Sequence, residues 1–168
     1  MLFALLTAIA TSACAASQGP LRLPDGSAGV CVNYQAAEPE PYWFGIPVEN
    51  VTDRTVVLEQ VTLDDPEFEI AAAFVVPSIR SSDGGSLSLG ADRDPALNSP
   101  GLWAGGKQLR GFVLAAHERT SVGLGLSRAA GIQDARSRAQ RFRFHYDDDS
   151  TSRASVSEYE IRIAPECG

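Results

Sequence analysis

The 168-residue sequence predicts an all-β fold, an antiparallel sandwich of about seven or eight short strands. Three observations carry this reading. Runs of β-branched and aromatic residues recur between residues 30 and 163, separated by Gly, Pro, Asp, Asn and Ser clusters. Phe142, Phe144 and Tyr146 alternate with Arg141, Arg143 and His145, the period of two that marks a half-buried strand. Cys31 and Cys167 stand near the two ends of the same span, placed to close it with one bridge.

In chain order, Met1 to Ala13 (MLFALLTAIATSA) is apolar and uncharged. It has the length of an export-signal core and is shorter than the roughly 20 residues that cross a bilayer. A positive n-region is missing, so the signal is atypical or the true start lies upstream of Met1. The residues Thr11-Ser12-Ala13-Cys14 resemble the bacterial lipobox, with Thr11 where Leu is usual. That resemblance implies lipidation of Cys14 and an anchor on the outer face of the cell membrane. Cleavage at Ala13-Cys14-Ala15, an A-x-A site, is the alternative and gives a secreted chain. The expected organisation is therefore signal peptide and lipobox over 1–14, a small-residue, Gly- and Pro-bearing linker over 15–29, and a β-sandwich domain over 30–168.

Within the domain, Val30 to Tyr34 reads as a first strand carrying Cys31. Phe44 to Val48 and Thr55 to Leu63 flank the turn cluster Asn50 to Arg54, which predicts a hairpin. In the second run Val57, Val61 and Leu63 share a face, and Glu59 breaks the alternation at a bulge or a strand crossing. Phe68 to Val76 is a strand ended by Pro77. Residues 80–106 are rich in Ser, Gly, Asp and Pro, a length of irregular chain that is unusual in a compact domain and points to a binding loop. Gly111 to Ala115 and Thr120 to Leu126 are strands, and Ser127 to Gln140 has the composition of a short helical crossover. Phe142 to Tyr146, the turn at 147–152 and Ala154 to Ile163 make a terminal hairpin, with Tyr159, Ile161 and Ile163 inward.

The early segment Pro47-Val48-Glu49-Asn50-Val51-Thr52 and the late hairpin before a terminal Cys resemble the immunoglobulin-like sandwiches of exported bacterial proteins, over about residues 30 to 167. A tryptophan packed on the disulfide, the mark of antibody domains, has no placement in this sequence. Export puts Cys31 and Cys167 where disulfides persist. Closing so long a loop restricts the unfolded chain by about 4 to 5 kcal/mol.

The net charge of −7 excludes a nucleic-acid binder, which needs a basic footprint. The charge is uneven. Residues 38–69 hold nine acids against Arg54, whereas Arg110 to Arg143 holds seven arginines against Glu118 and Asp134. These are either a basic face for anionic envelope polymers, lipids or an acidic partner, or charges paired across one sheet. His117 and His145 are the available bases for nucleophilic catalysis, and no serine sits in a G-x-S-x-G elbow. A blue-copper site lacks its methionine, and no paired C-x-x-C or H-x-x-x-H spacing supplies zinc. Asp147-Asp148-Asp149 and Asp92-Arg93-Asp94 offer oxygen ligands but no EF-hand pattern. Trp103, in a Gly-rich stretch, is a candidate contact residue, or folds back to plug one end of the sandwich, and Trp43 reads as core. Arg141, Arg143 and His145 complete the candidate binding residues. No catalytic residue, metal or cofactor is expected. The leading expectation is a non-enzymatic envelope-anchored module that binds an envelope protein or polymer. The alternatives are an accessory subunit of an envelope assembly and a hydrolase using acidic residues.

Overall fold

The computed structural model describes residues 19–27, 29–33, 41–64, 67–77, 79–80, 86–87, 91, 94–98, 100–130, 137–149 and 151–167. Its elements are β1 (Leu21–Arg22), β2 (Gly29–Asn33), β3 (Tyr42–Asn50), β4 (Val56–Leu63), β5 (Phe68–Pro77), β6 (Ile79–Arg80), β7 (Ser86–Leu87), the single helical turns α1 (Pro95–Asn98) and α2 (Pro100–Trp103), β8 (Lys107–Gln108), β9 (Phe112–Leu114), β10 (Arg119–Arg128), β11 (Ser137–Ala139), β12 (Phe142–Asp148), β13 (Thr151–Ser157) and β14 (Glu160–Ala164). The leader, Cys14 and much of the 80–106 stretch lie outside the described residues.

One sheet runs β1-β3-β10-β5-β8 and the other β13-β12-β4-β9. Removing the short additions β8 and β9 leaves four strands facing three, in the strand order of an immunoglobulin constant-type sandwich. The fold is thus an immunoglobulin-like antiparallel sandwich. A smaller sheet, β11-β14-β2, extends the terminal hairpin. Ala139 pairs with Ile161 and Phe142 with Ser157, so Gln140 and Arg141 face the three residues Glu158 to Glu160 across a bulge. Arg141 takes a positive φ of 61° at that point. Beyond the bulge, β2 joins β14 in parallel, and the Cys31–Cys167 disulfide ties β2 to the segment that follows β14, with a Cα–Cα distance of 5.7 Å.

The core lies between the two large sheets. Phe44, Ile46 and Val48 of β3 and Val122, Leu124 and Leu126 of β10 face Leu58 of β4 and Phe142, Phe144 and Tyr146 of β12, all buried. Burial of such side chains is the dominant favourable contribution to folding, about 1.5 to 3 kcal/mol each. The bulge expected in the second run is present at Glu59, because His145 pairs with Gln60 and Tyr146 with Leu58. It shifts the parity, so Val56 and Leu58 point inward before it and Val61 after it. Val57 is only half-buried and leaves the expected face.

Several expectations are corrected. β3 and β4 do not form a hairpin. They belong to opposite sheets, and residues 51–55 arch from one to the other. Asn50 holds that arch. Its buried Nδ2 donates to the carbonyls of Arg54 at 2.6 Å and Ala115 at 2.9 Å, and its Oδ1 accepts from the Thr52 amide at 3.0 Å. The folded domain starts before residue 30, since β1 pairs with β3 and Leu21 is in the core. A strand, β11, stands within the expected helical crossover. Trp43 is half-buried on the outer face of its sheet, because β3 sends even-numbered residues to the core.

Candidate functional site

The expected site residues fall on opposite faces of the sandwich. Arg143 and His145 alternate outward from β12, whereas Trp103 lies on the far side, against the five-stranded sheet. The structure does not bring them together.

On the β12 side the arginines are paired. Arg143 Nη2 donates to Asp64 Oδ2 at 2.9 Å, and Arg141 reaches Asp64 and Glu158, each at 3.6 Å. The Arg143 hydrogen bond, opposed by partial desolvation and aided by the charges of Arg143 and Arg141, holds the Asp64 carboxyl below the usual range. Arg138 and Arg162 meet Glu160 at 3.5 and 2.9 Å, and Arg110 meets Glu59 at 3.9 Å. Among the described residues, Arg110, Arg141 and Arg143 thus pair with Glu59 and Asp64 of the acid-rich segment, which is the cross-sheet pairing of the two readings. His145 Nε2 meets Thr62 Oγ1 at 3.1 Å, and His117 Nε2 meets Asp53 Oδ1 at 2.8 Å in an exposed pair. The two imidazoles thus sit in separate pairs. Asp148 is nearly buried between Arg54 and Arg153, and Arg54 also contacts Asp149. Asp94 caps α1 through the Ala96 amide at 3.1 Å. Among the described residues, no group of three His, Cys, Asp or Glu side chains is placed to hold a metal.

The five-stranded sheet has a different outer face. Its central strand, β10, is buried from Thr120 to Leu126, so both faces are covered. Gly123 and Gly125 point outward and leave room for rings. Trp103 from α2 packs edge-on to Phe74 of β5 at 4.6 Å and to Trp43 of β3 at 5.3 Å. A Cβ on Gly123 would lie 2.9 Å from both Phe74 and Trp103, and one on Gly125 would lie 3.1 Å from Trp43. Trp103 accordingly folds back, as one of the two readings of the sequence has it, but onto this sheet face. It plugs no end of the sandwich.

At the other end of the same face, three residues from three adjacent strands meet. Glu49 of β3 pairs in register with Arg22 of β1 and Arg119 of β10. Arg22 Nη1 reaches Glu49 Oε2 at 2.9 Å and Arg119 Nε reaches Glu49 Oε1 at 3.0 Å. Burial pushes the Glu49 carboxyl up, and the hydrogen bonds and charges of Arg119 and Arg22 outweigh it, so the group is held below its ordinary value. Both guanidinium side chains stay more than half exposed, at 58% and 62%. Beside the triad lies an open trough of about 380 Å³ whose walls include Leu23, Pro24 and the exposed Pro47. β1 pairs with β3 at Glu49 and Asn50, and the trough lies beside that pairing, with Pro47 two residues before Glu49.

Sequence reasoning missed this triad. Arg22 lay in the presumed linker, and Arg119 is far from Glu49 along the chain. The one usable signal was the outward parity that Glu49 shares with Trp43.

Neither a family model nor a curated protein matches the chain. Among solved structures it is similar to the VesB protease of Vibrio cholerae, at 10% identity and a TM-score of 0.41, over 85% of this chain and 32% of that one. It is also similar to the ASH/PapD-like domain of human CEP192 (PapD-like domain 7), at 8% identity and a TM-score of 0.39, over 99% of this chain and 100% of that domain. The chain spans about a third of the protease's length.

Proposed function

We propose that this chain is an exported, non-enzymatic β-sandwich module, tethered through a lipid on Cys14, that holds a protein of the cell envelope on the outer face of its five-stranded sheet. The contrast between the two outer faces carries the reading. The β12 face is closed by arginine–carboxylate pairs around Asp64. The opposite face presents an apolar trough at Pro47 beside two exposed guanidiniums that share one carboxylate. A concave apolar surface with a few convergent polar groups is the usual form of a recognition site.

The test sets one face against the other. Full-length chain carrying Pro47→Lys or Arg143→Glu is compared with wild type for co-purification from bacterial envelope extracts. Loss of the partner in Pro47→Lys alone supports this face, and loss in Arg143→Glu alone sinks it. The tether is tested by intact mass and membrane fractionation of the chain expressed with its own leader. A lipid-sized increment on Cys14 is expected, and a soluble species starting after Ala15 would replace the anchor with secretion.

A further inference from the structure

We propose that the Cys31–Cys167 disulfide is a redox gate that a dithiol reductant opens in the folded chain. Opening joins the two recesses that the bond separates and loosens β2 from β14, while the two large sheets stay intact.

The bond lies outside the core. Cys31 is half-buried and Cys167 exposed, and neither belongs to the buried cluster between the large sheets. Two surface recesses, of about 350 and 410 Å³, meet at it, and among the described residues Cys31 and Cys167 alone line both. The first recess reaches Val32 of β2 and Phe44 of the core. The second is rimmed by charge from Glu67, Arg138, Arg162 and Glu166. The disulfide is thus the wall between an apolar recess and a charged one. Standing open on both sides, it is within reach of a thiolate without unfolding of the chain.

What the bond holds is lightly held otherwise. Among the described residues β2 is an edge strand, paired with β14 over the five residues Gly29–Asn33. The ladder is parallel, which is slightly less stable per residue than an antiparallel one. Val30 and Val32 pack on the rim of the core and are only half-buried. A further tie, the Cys167 amide donating to Asn33 Oδ1 at 3.0 Å, has its donor on Cys167 itself. By contrast, β10 and β12 are each paired on both sides by antiparallel strands. Cutting the bond therefore removes a constraint where pairing is one-sided and burial partial, the setting in which local opening occurs ahead of global unfolding.

The step is a two-electron exchange. A thiolate of the reductant attacks Sγ of Cys167, the more exposed of the two residues. Its new S–S bond forms as the Cys31–Cys167 bond breaks, and Cys31 leaves as a thiolate that takes a proton from water. The reductant's second thiolate then displaces Cys167 in the same way. The dithiol ends as a disulfide and the chain gains two thiols.

The experiment treats the oxidised full chain with dithiothreitol in native buffer and quenches with iodoacetamide. Peptide mass reads alkylation at Cys31 and Cys167, and hydrogen exchange is followed at the ladder amides of β2 and β14 and at those of β10 and β12. Reduction is expected within about tenfold of its rate in urea, as for an accessible disulfide. Exchange in the β2–β14 ladder should rise at least about tenfold, with β10 and β12 unchanged, and reoxidation should restore the protection. Cys31→Ser with Cys167→Ser should show the reduced pattern without reductant, and reduced wild type supplies that pattern where the variant does not fold. Reduction slowed roughly a thousandfold or more against urea means that the bond is cut only in the rare unfolded chain, and overturns the gate. Unchanged exchange in the β2–β14 ladder after reduction also overturns it, because β14 then holds β2 unaided. An equal rise in β10 and β12 overturns it as well, since the bond is then a staple of the whole fold.

Discussion

Gly123 lies directly under Trp103: a methyl group placed on its Cα would come within 2.9 Å of the indole and of the Phe74 ring. The central strand thus has to lack a side chain at this point for α2 to dock. Gly123→Ala is expected to destabilise the fold by about 1 to 3 kcal/mol, the usual cost of overpacking, and to displace Trp103. Gly101→Ala is the control. It sits in α2 with open space around it, and alanine there is neutral or stabilising. Urea denaturation of the two variants separates them, and equal midpoints would refute the close packing.

Both tryptophans of the chain belong to this cluster, 5.3 Å apart. Intrinsic fluorescence and near-UV dichroism therefore report on one face of one sheet. Trp103→Phe should remove most of any tryptophan–tryptophan dichroic signal while the far-UV strand spectrum is unchanged. A near-UV spectrum in the variant that matches wild type would show that the two rings do not couple.

Asn50 is fully buried, and its amide satisfies carbonyls on two separate loops. Asn50→Ala leaves those carbonyls without their donor, at an expected cost of about 2 to 4 kcal/mol. Asn50→Asp keeps the acceptor for the Thr52 amide but loses the donors and buries a charge, so it should be at least as damaging. A loss below about 1 kcal/mol in chemical denaturation of Asn50→Ala would contradict the role of Asn50 as the tie between the arch and the β9–β10 turn.

Asp64 and Glu49 both titrate below their ordinary values in the folded chain. Their stabilisation is fully present above the unfolded values, about 3.9 for Asp and 4.3 for Glu. It is lost as pH falls through the lower folded values. The melting temperature should be flat in these terms above about pH 5 and fall below about pH 4. Asp64→Asn and Glu49→Gln should each flatten that acid limb. An acid limb identical in wild type and both variants would assign acid unfolding to other groups.

Reduction of Cys31–Cys167, or Cys31→Ser with Cys167→Ser, releases a closure spanning 136 positions. The expected loss is about 4 to 5 kcal/mol on the chain-entropy account. Matching urea curves before and after reduction would show that the parallel β2–β14 pair closes the domain unaided.

The strands and the terminal hairpin were legible in the sequence because period-two alternation at Phe142, Phe144 and Tyr146 is a direct print of burial. The Glu59 bulge was legible for the same reason, as a break in alternation, though which side of the break faced inward was not. The β3–β4 arch was read as a hairpin because a turn cluster looks alike whether the chain returns to the same sheet or crosses to the other. Only the long-range partners β10 and β12 decide that. The outer-face features were hidden for a related reason. Gly123 and Gly125 read as weak strand residues until the rings they admit are known, and the Arg22–Glu49–Arg119 triad is assembled by register alone.

The disulfide also sets how the domain responds to mechanical load. Tension applied to the chain on either side of the fold first peels β1, which holds β3 through only two paired residues. It then reaches Cys31 and passes straight to Cys167 through the covalent bond. Every strand from β3 to β13 lies inside the closed loop and outside the path of the force. Under oxidising conditions a pull on the ends strips away the Arg22, Leu23 and Pro24 wall of the trough together with β1, and leaves the strands inside the closed loop undeformed.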